Sequence, residues 1–289
     1  MLSNNQKPKR VAPSPGVLFS IPGIALLLFG FIVPLLLIVV FSFMPAKTFG
    51  LGHMPTLQNY NEILGSDTYI TSLLWSLFLA GLTTAILLVV CYPLAFAMAK
   101  IFNRGATLIT LAVVLLLFVS ENIRLFGWSL TLMKGGVFDG TLKQFGLGLD
   151  NALYNVPVIV FGMSYVYLPF MLFPLVLGIS MIPDQVREAA NDLGANWWLI
   201  FRSIDLPLSS PGILIGSLLT FVLSVGAVSE AKILGGGKVI PITQNIESIF
   251  SYAQNWPLGS ALSTALLLII GGMLTYVLSK VELDRLFRK

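Results

Sequence analysis

Three ionisable residues stand at the ends of long apolar stretches of this 289-residue chain. Glu121 and Arg124 follow LITLAVVLLLFVS, and Glu230 ends GILIGSLLTFVLSVGAVS. A charged side chain at the centre of a bilayer costs about 2.5 to 3.5 kcal/mol, so such residues usually face a cavity, a partner or the membrane boundary. In one interpretation, Glu121 and Arg124, at i and i+3, form an ion pair that only stabilises a helix end.

The second interpretation gives these residues a role in transport. Glu121, Asn122 and Glu230 would line the path of a small polar solute, and two carboxylates on different helices would favour a cation. Aromatic rings could contact the alkyl or ammonium parts of such a solute, although rings at these depths more often anchor a helix at the membrane interface or pack. The candidate rings are Trp128, Tyr165, Tyr167 and Phe170.

A polar island, residues 183–207, interrupts the apolar sequence. Asp184 is a candidate N-cap and Gly194 a candidate C-terminal glycine, which predicts a short helix over Gln185 to Leu193. A narrow apolar stripe at helical spacing suits docking into a groove, and an acidic face lies beside it. The stripe is Val186, Ala189, Ala190 and Leu193, and the acidic face is Asp184, Glu188 and Asp192.

A second short helix is predicted directly after the first. Asn196 is its candidate cap, and Trp197, Trp198, Phe201 and Ile204 follow. Pro207 is expected to help to end it, because proline breaks the helical hydrogen-bond pattern.

The composition requires a polytopic membrane protein. Hydrophobic residues make up 56% of the chain and charged residues only 10%, far from the average soluble domain. Hydropathy predicts an all-α fold with about six transmembrane helices, near 17–44, 69–99, 106–128, 154–181, 211–234 and 259–280. A single cysteine, Cys91, excludes an intrachain disulfide, and a lone His53 without HExxH gives no support to a metalloenzyme.

Lysine and arginine are distributed unevenly between the two sides of these six predicted spans. One side carries eleven of these residues and includes both termini and the polar island. The positive-inside rule places that side in the cytoplasm. The eleven are Lys7, Lys9, Arg10, Lys100, Arg104, Arg187, Arg202, Lys280, Arg285, Arg288 and Lys289, and the six on the other side are Lys47, Arg124, Lys134, Lys143, Lys232 and Lys238. The net charge of +4 is therefore a signal of orientation, and no nucleic-acid partner is expected.

The polar island also carries a family resemblance. The EAA motif is matched by Glu188-Ala189-Ala190, then Gly194 after three further residues, Ile204 after nine more, and Leu206-Pro207 after one more. By this match the chain resembles the permease subunits of binding-protein-dependent ABC importers. The resemblance implies a type I importer permease fold in which this helix is a cytoplasmic coupling helix seated in a cleft of the ATPase. The implied coupling residues are Val186, Glu188, Ala189, Ala190, Asp192, Leu193 and Gly194.

Three further stretches look like the spermidine/putrescine group of these permeases. They are NIRLFGW at 122–128, YVYLPFMLFPL at 165–175 and NWPLGSALSTALL at 255–267. By this resemblance the best guess for the solute is polyamine-like or another cation. The alternative is a secondary carrier driven by an ion gradient, in which Glu121 and Glu230 would be proton or Na⁺ sites.

The resemblance also implies an assembly in the bacterial inner membrane. Its parts would be a second homologous permease, two ATPase subunits and a periplasmic solute-binding protein, surrounded by membrane lipid. No cofactor is expected on this chain, since ATP and Mg²⁺ would bind the ATPase, and no residue would be catalytic. The expected organisation is a cytoplasmic tail, residues 1–15, and one permease domain, residues 16–289, with its coupling loop at 182–210.

Overall fold

A computed structural model describes residues 15–50, 52, 54–102, 104–144 and 153–280. These residues form helices and connecting turns, and no strand occurs among them. The helices are α1 (Pro15–Ser42), α2 (Gln58–Leu64), α3 (Asp67–Lys100), α4 (Arg104–Phe118), α5 (Glu121–Leu132), α6 (Val137–Gln144), α7 (Val156–Ser180), α8 (Asp184–Asp192), α9 (Trp197–Ile200), a π-helix (Phe201–Asp205), α10 (Leu206–Leu208), α11 (Ser210–Val225), α12 (Ser229–Ile233), α13 (Ile242–Ser251) and α14 (Trp256–Lys280).

The predicted all-α membrane class is confirmed. Within the described ranges, four helices are long and apolar enough to cross a membrane, and the number rises to six if each of two bent helix pairs is one span. Some predictions lie outside the described residues. These are most of the tail predicted over 1–15, His53, and the charges Lys7, Lys9, Arg10, Arg285, Arg288 and Lys289.

The span predicted near 106–128 is not one uninterrupted helix. Helix α4 ends at Phe118, and the segment Glu121–Gln144 continues at 99° to it. Ser120 has an extended backbone, with φ −52° and ψ 135°, and Glu121 then lies in the first turn of α5, where a carboxylate is favourable beside the free N–H groups. Glu121 therefore begins a new helix and does not end a long one.

The span predicted over 211–234 is also too long. Helix α11 ends at Val225 with Gly226 as its cap, and Glu230 lies on the separate short helix α12. At its other end, α11 meets the segment Trp197–Leu208 at an angle of 64°. The apolar run of the sequence continues across Gly226, so hydropathy alone did not indicate the break.

The core is the packing of α3, α7 and α11 against one another. Glycines allow α7 and α11 to approach closely: a Cβ built on Gly212 would lie 2.5 Å from the Pro174 carbonyl oxygen, and one on Gly178 would lie 2.8 Å from the Gly212 Cα. Small residues at such a crossing are typical of membrane helices. Helix α12 packs on α5 and α7, which brings Glu230 towards the charged residues of α5.

Candidate coupling helix and substrate pathway

Helix α8 covers the predicted coupling residues. It runs from Asp184 to Asp192, one residue earlier at each end than predicted. The predicted N-cap is wrong, because Pro183 occupies that position and the Asp184 side chain makes no capping hydrogen bond. Asp184 Oδ1 instead accepts a hydrogen bond of 2.7 Å from Lys100 Nζ at the end of α3. That hydrogen bond, together with the Lys100 charge, lowers the pKa of Asp184 below its ordinary value.

The predicted glycine turn after α8 is confirmed. Gly194 has φ +80°, the left-handed region that glycine adopts without strain. Its N–H donates to the Asn191 carbonyl at 2.9 Å, and the Ala195 N–H donates to the Ala190 carbonyl at 3.0 Å. The last carbonyls of the helix are thereby satisfied, and the chain turns directly into the next helix.

The apolar stripe of α8 is exposed except at Ala190, which is half-buried. Val186 is 42% exposed and Leu193 89% exposed, and Ala189, Glu188 and Asp192 are also exposed. An open groove of about 370 Å³ lies beside this stripe. Its lining includes Ala190, Leu193, Gly194, Leu199, Ile200 and Ile204. The predicted docking residues thus form one exposed, largely apolar surface.

Two basic residues hold α8 against the membrane helices. Lys100 Nζ donates to the Ile182 carbonyl at 2.6 Å as well as to Asp184. Arg187 Nε lies 3.1 Å from Asp205 Oδ1 of the π-helix, and its guanidinium lies 4.8 Å from the centroid of the Phe96 ring of α3. The sequence did not indicate these contacts, because all four partners are distant along the chain from the basic residue that they contact.

The segment after α8 is one continuous helical stretch with a π-helix inside it. The predicted cap is confirmed, since Asn196 Oδ1 accepts from the Leu199 N–H at 2.8 Å. The predicted end near Pro207 is confirmed to within one residue, because the helix ends at Leu208. Pro207 is the second residue of α10, directly after Leu206, and a proline is tolerated in the first turn of a helix.

A second cluster gathers around Glu230. This side chain is 0% exposed, and no Lys or Arg among the described residues forms an ion pair with its carboxylate; the hydroxyl of Tyr167 is its hydrogen-bonding neighbour. Tyr167, Glu121 and Arg124 are the groups close enough to act on it electrostatically. Helices α5, α7 and α12 therefore bring together two carboxylates that are 109 positions apart in the sequence.

The predicted ion pair between Glu121 and Arg124 is wrong. No ion pair joins them among the described residues. The Arg124 guanidinium instead lies 5.5 Å from the centroid of the Tyr165 ring, and its Nε and Nη1 are buried without a hydrogen-bond partner in the part of the chain that the structure describes. The i, i+3 spacing suggested that Arg124 lies beside Glu121, whereas the packing of α5 on α7 places the Arg124 guanidinium over the Tyr165 ring.

The predicted aromatic residues are only partly brought together. The Trp128 ring packs edge-on against Tyr165, with centroids 5.8 Å apart, and against Phe161 at 4.7 Å. Asn122 and Phe170 are exposed and are not part of this buried cluster. What remains is a buried carboxylate, a second one nearby, one guanidinium and several aromatic rings. Such a set of groups suits a cation or a hydrogen-bonding solute. Among the described residues, no group of three or more His, Cys, Asp or Glu side chains could hold a metal ion.

The chain is similar to curated permease proteins. It is 34% identical to the spermidine/putrescine transport system permease protein PotB of Haemophilus influenzae, over 84% of this chain and 86% of that protein. The PotB of Escherichia coli K12 is 32% identical over 76% of this chain and 80% of that protein. The inner membrane ABC transporter permease protein YdcU of the same strain is 27% identical over 77% and 75%. No protein-family model matches the chain.

Two solved structures share the fold. A bacterial ABC transporter involved in the import of the acidic polysaccharide alginate aligns with a TM-score of 0.72 and 17% identity, over 95% of this chain and 96% of that chain. The alginate ABC transporter in complex with its alginate pentasaccharide-bound periplasmic protein aligns with a TM-score of 0.73 and 17% identity, over 90% and 92%. At this level of identity the likeness concerns the arrangement of helices.

Proposed function

Since the chain belongs to the family of the spermidine/putrescine permease proteins, the membrane subunits of ABC importers, we propose that its solute is a polyamine-like cation. The chain is a multi-pass inner-membrane transport subunit, not an enzyme. Family membership also decides between the two transport mechanisms that the sequence left open, in favour of an ATP-driven importer over a carrier driven by an ion gradient.

The observation that supports a cationic solute is the buried Glu230 carboxylate. A charged group without a counter-ion is expensive in a buried site, and a passing ammonium group would supply the missing positive charge. Glu121 adds a second acidic group and Arg124 one basic group, so acidic groups outnumber basic ones in the cluster. A cation is therefore favoured over an anion at this point of the pathway.

The exposed stripe of α8 supports a coupling role. In the proposed assembly, Val186, Leu193 and the adjoining groove bury their apolar surface in a cleft of an ATPase subunit, a helix-in-groove contact. ATP and Mg²⁺ would bind that ATPase. The excess of Lys and Arg on the side of α8 supports a cytoplasmic location for α8 and for both termini.

The remaining proposed partners are a second homologous permease, a second ATPase and a periplasmic solute-binding protein. One structural relative is a transporter in complex with a periplasmic protein, which supports a similar partner here. The six-span count, reached only if both bent pairs cross the membrane, supports pairing with another permease, since many carriers have about twice as many spans in one chain.

The test is uptake of radiolabelled putrescine and spermidine by the assembled importer in proteoliposomes. Glu230→Gln keeps the shape of the side chain and removes its charge. We expect uptake to fall about tenfold to a hundredfold, because a hydrogen bond to a charged group contributes about 1.5 to 3 kcal/mol. Basal ATPase activity should persist, which shows that the complex still assembles.

Glu247→Gln is the matched control. Glu247 is an exposed carboxylate on α13, 2.6 Å from Lys232 Nζ, and we expect its replacement to leave uptake nearly unchanged. Normal polyamine uptake by Glu230→Gln would contradict the cationic pathway without affecting the assignment to ABC importers. Loss of uptake in both variants would show that Glu230 has no special role.

A further inference from the structure

A second groove, of about 430 Å³, opens on the other face of the segment that follows α8. Its lining is almost wholly apolar and includes Leu88, Tyr92, Phe96, Trp197, Phe201 and Ile213. It shares no lining residue with the groove beside the coupling helix. The helical segment from Trp197 therefore presents one face to each groove, and only the groove of about 370 Å³ is lined by a residue of α8 itself, Ala190.

The position of the groove along α3 places it at membrane depth. Phe96 lies four residues from Lys100, about 6 Å along the helix axis, and Leu88 lies about 18 Å from it. Helix α3 is about 51 Å long by the same rise, whereas the hydrocarbon core of a bilayer is about 30 Å thick. The groove therefore runs from the headgroup region at the α8 end of the molecule into the acyl-chain layer.

The residues at its mouth are those of a membrane interface. Trp197 and Trp198 are both exposed, and tryptophan is enriched where hydrocarbon meets headgroups. The Trp197 ring stacks on Phe201 at 5.7 Å with only 11° between the planes. Arg202, the next residue, is exposed and forms no ion pair with another described residue, so its positive charge stands beside the apolar lining.

We propose that this groove, which we call the lipid groove, binds one acyl chain of an anionic phospholipid whose phosphate contacts Arg202. This inference rests on the membrane location of the chain and not on the identity of the solute. An extended acyl chain is thin enough to lie along Leu88 to Phe96. A helix of another subunit is the competing occupant, and the quenching experiment below separates the two.

Occupation of the lipid groove would also affect coupling. Asp205 lines the groove, and the same side chain is the ion-pair partner of Arg187 on α8. A lipid in the groove would therefore lie against the contact that positions the coupling helix. The lipid composition of the membrane would be expected to influence the substrate-stimulated ATPase activity.

The test measures the quenching of tryptophan fluorescence by brominated lipids in the assembled importer. The importer is reconstituted in nanodiscs of unbrominated lipid to which either brominated phosphatidylglycerol or brominated phosphatidylcholine is added. The contribution of Trp197 is the difference between the wild type and Trp197→Phe, and that of Trp198 is obtained in the same way. We expect brominated phosphatidylglycerol to quench Trp197 at a lipid fraction about fivefold lower than the fraction of brominated phosphatidylcholine that gives the same quenching. This is the preference expected for one basic residue near anionic lipid.

Two further variants separate a bound lipid from bulk lipid. Arg202→Gln should remove the preference for phosphatidylglycerol. Val89→Phe should fill the lipid groove and lower the quenching of Trp197 to the level of Trp198, whereas Val90→Phe, at an exposed neighbouring position outside the groove, should not. Equal quenching of Trp197 and Trp198 by both lipids would overturn the proposal in favour of bulk lipid. An unquenched Trp197 in the assembled importer would overturn it in favour of a protein covering.

Discussion

The ion pair between Arg187 and Asp205 gives a quantitative prediction about the coupling helix. Asp205 is 1% exposed, and Arg187, which is 23% exposed, lies 3.1 Å from it. Arg187→Met removes the charge but keeps an apolar side chain of comparable length over the Phe96 ring. The Asp205 carboxylate would then be buried without its counter-ion.

Breaking a buried ion pair on one side costs about 3 to 5 kcal/mol. We expect about 3 kcal/mol, the lower end of this range, because part of Arg187 is in contact with water. Helix α8 has nine residues, and a helix of fewer than about 12 residues is marginal in water by itself. Its backbone hydrogen bonds should therefore open about a hundredfold more often when this anchor is lost, since 1.36 kcal/mol corresponds to about tenfold.

Hydrogen–deuterium exchange of the α8 amides, measured on the detergent-solubilised subunit without its ATPase, checks this number. The double variant Arg187→Met/Asp205→Leu should recover most of the protection, because replacing both members of a buried pair by apolar residues is often neutral. Unchanged exchange in Arg187→Met would refute the argument. Equally fast exchange in the single and double variants would show that packing on Phe96, not charge, holds the helix.

Two other predictions concern glycines. No atom lies within 4 Å of a Cβ built on Gly194, so the cost of Gly194→Leu comes from its φ of +80°, which costs about 1 to 2 kcal/mol for most residues and less for Asn. Substrate-stimulated ATPase activity should therefore fall in Gly194→Leu and largely survive in Gly194→Asn. Full stimulation in both variants would contradict a need for this turn. Gly212→Val forces a side chain to within 2.5 Å of the carbonyl oxygen of Pro174, and such overpacking typically costs about 1 to 3 kcal/mol of stability. The melting temperature of this variant in detergent should therefore drop clearly, whereas Gly271→Val, where no atom lies within 4 Å of the added Cβ, should melt like the wild type. Equal melting of the two variants would show that α7 and α11 can move apart.

Some local features follow from the sequence because their causes are local. Gly194 must accommodate a left-handed turn after a short helix, and Asn196 caps the next helix from three residues away. Each depends on backbone geometry within one helical turn, so residue type and spacing were sufficient. The wrong cap at Asp184 shows the limit, because Lys100, 84 positions away, binds the carboxylate that was expected to cap.

The breaks in the transmembrane helices could not be read from hydropathy. Residues 106–128 and 211–234 are apolar enough for straight spans, yet both break, at Ser120 and after Val225. A break exposes backbone groups that the hydrocarbon layer cannot satisfy. Whether a break is tolerated therefore depends on what packs around it, and that is a property of the whole fold.

The sequence alone determined that the chain is a helical membrane protein, that residues 183–207 are a polar island, and that its EAA-type spacing resembles that of importer permeases. Burial of apolar side chains and local capping set these features, and both are encoded along the chain. Only the tertiary structure decided that Glu230 is buried near Glu121 and Arg124, that Arg124 faces Tyr165, and that Arg187 anchors α8. A buried charge is defined by neighbours from distant segments, and only the packing of α3, α5, α7 and α12 brings those neighbours together.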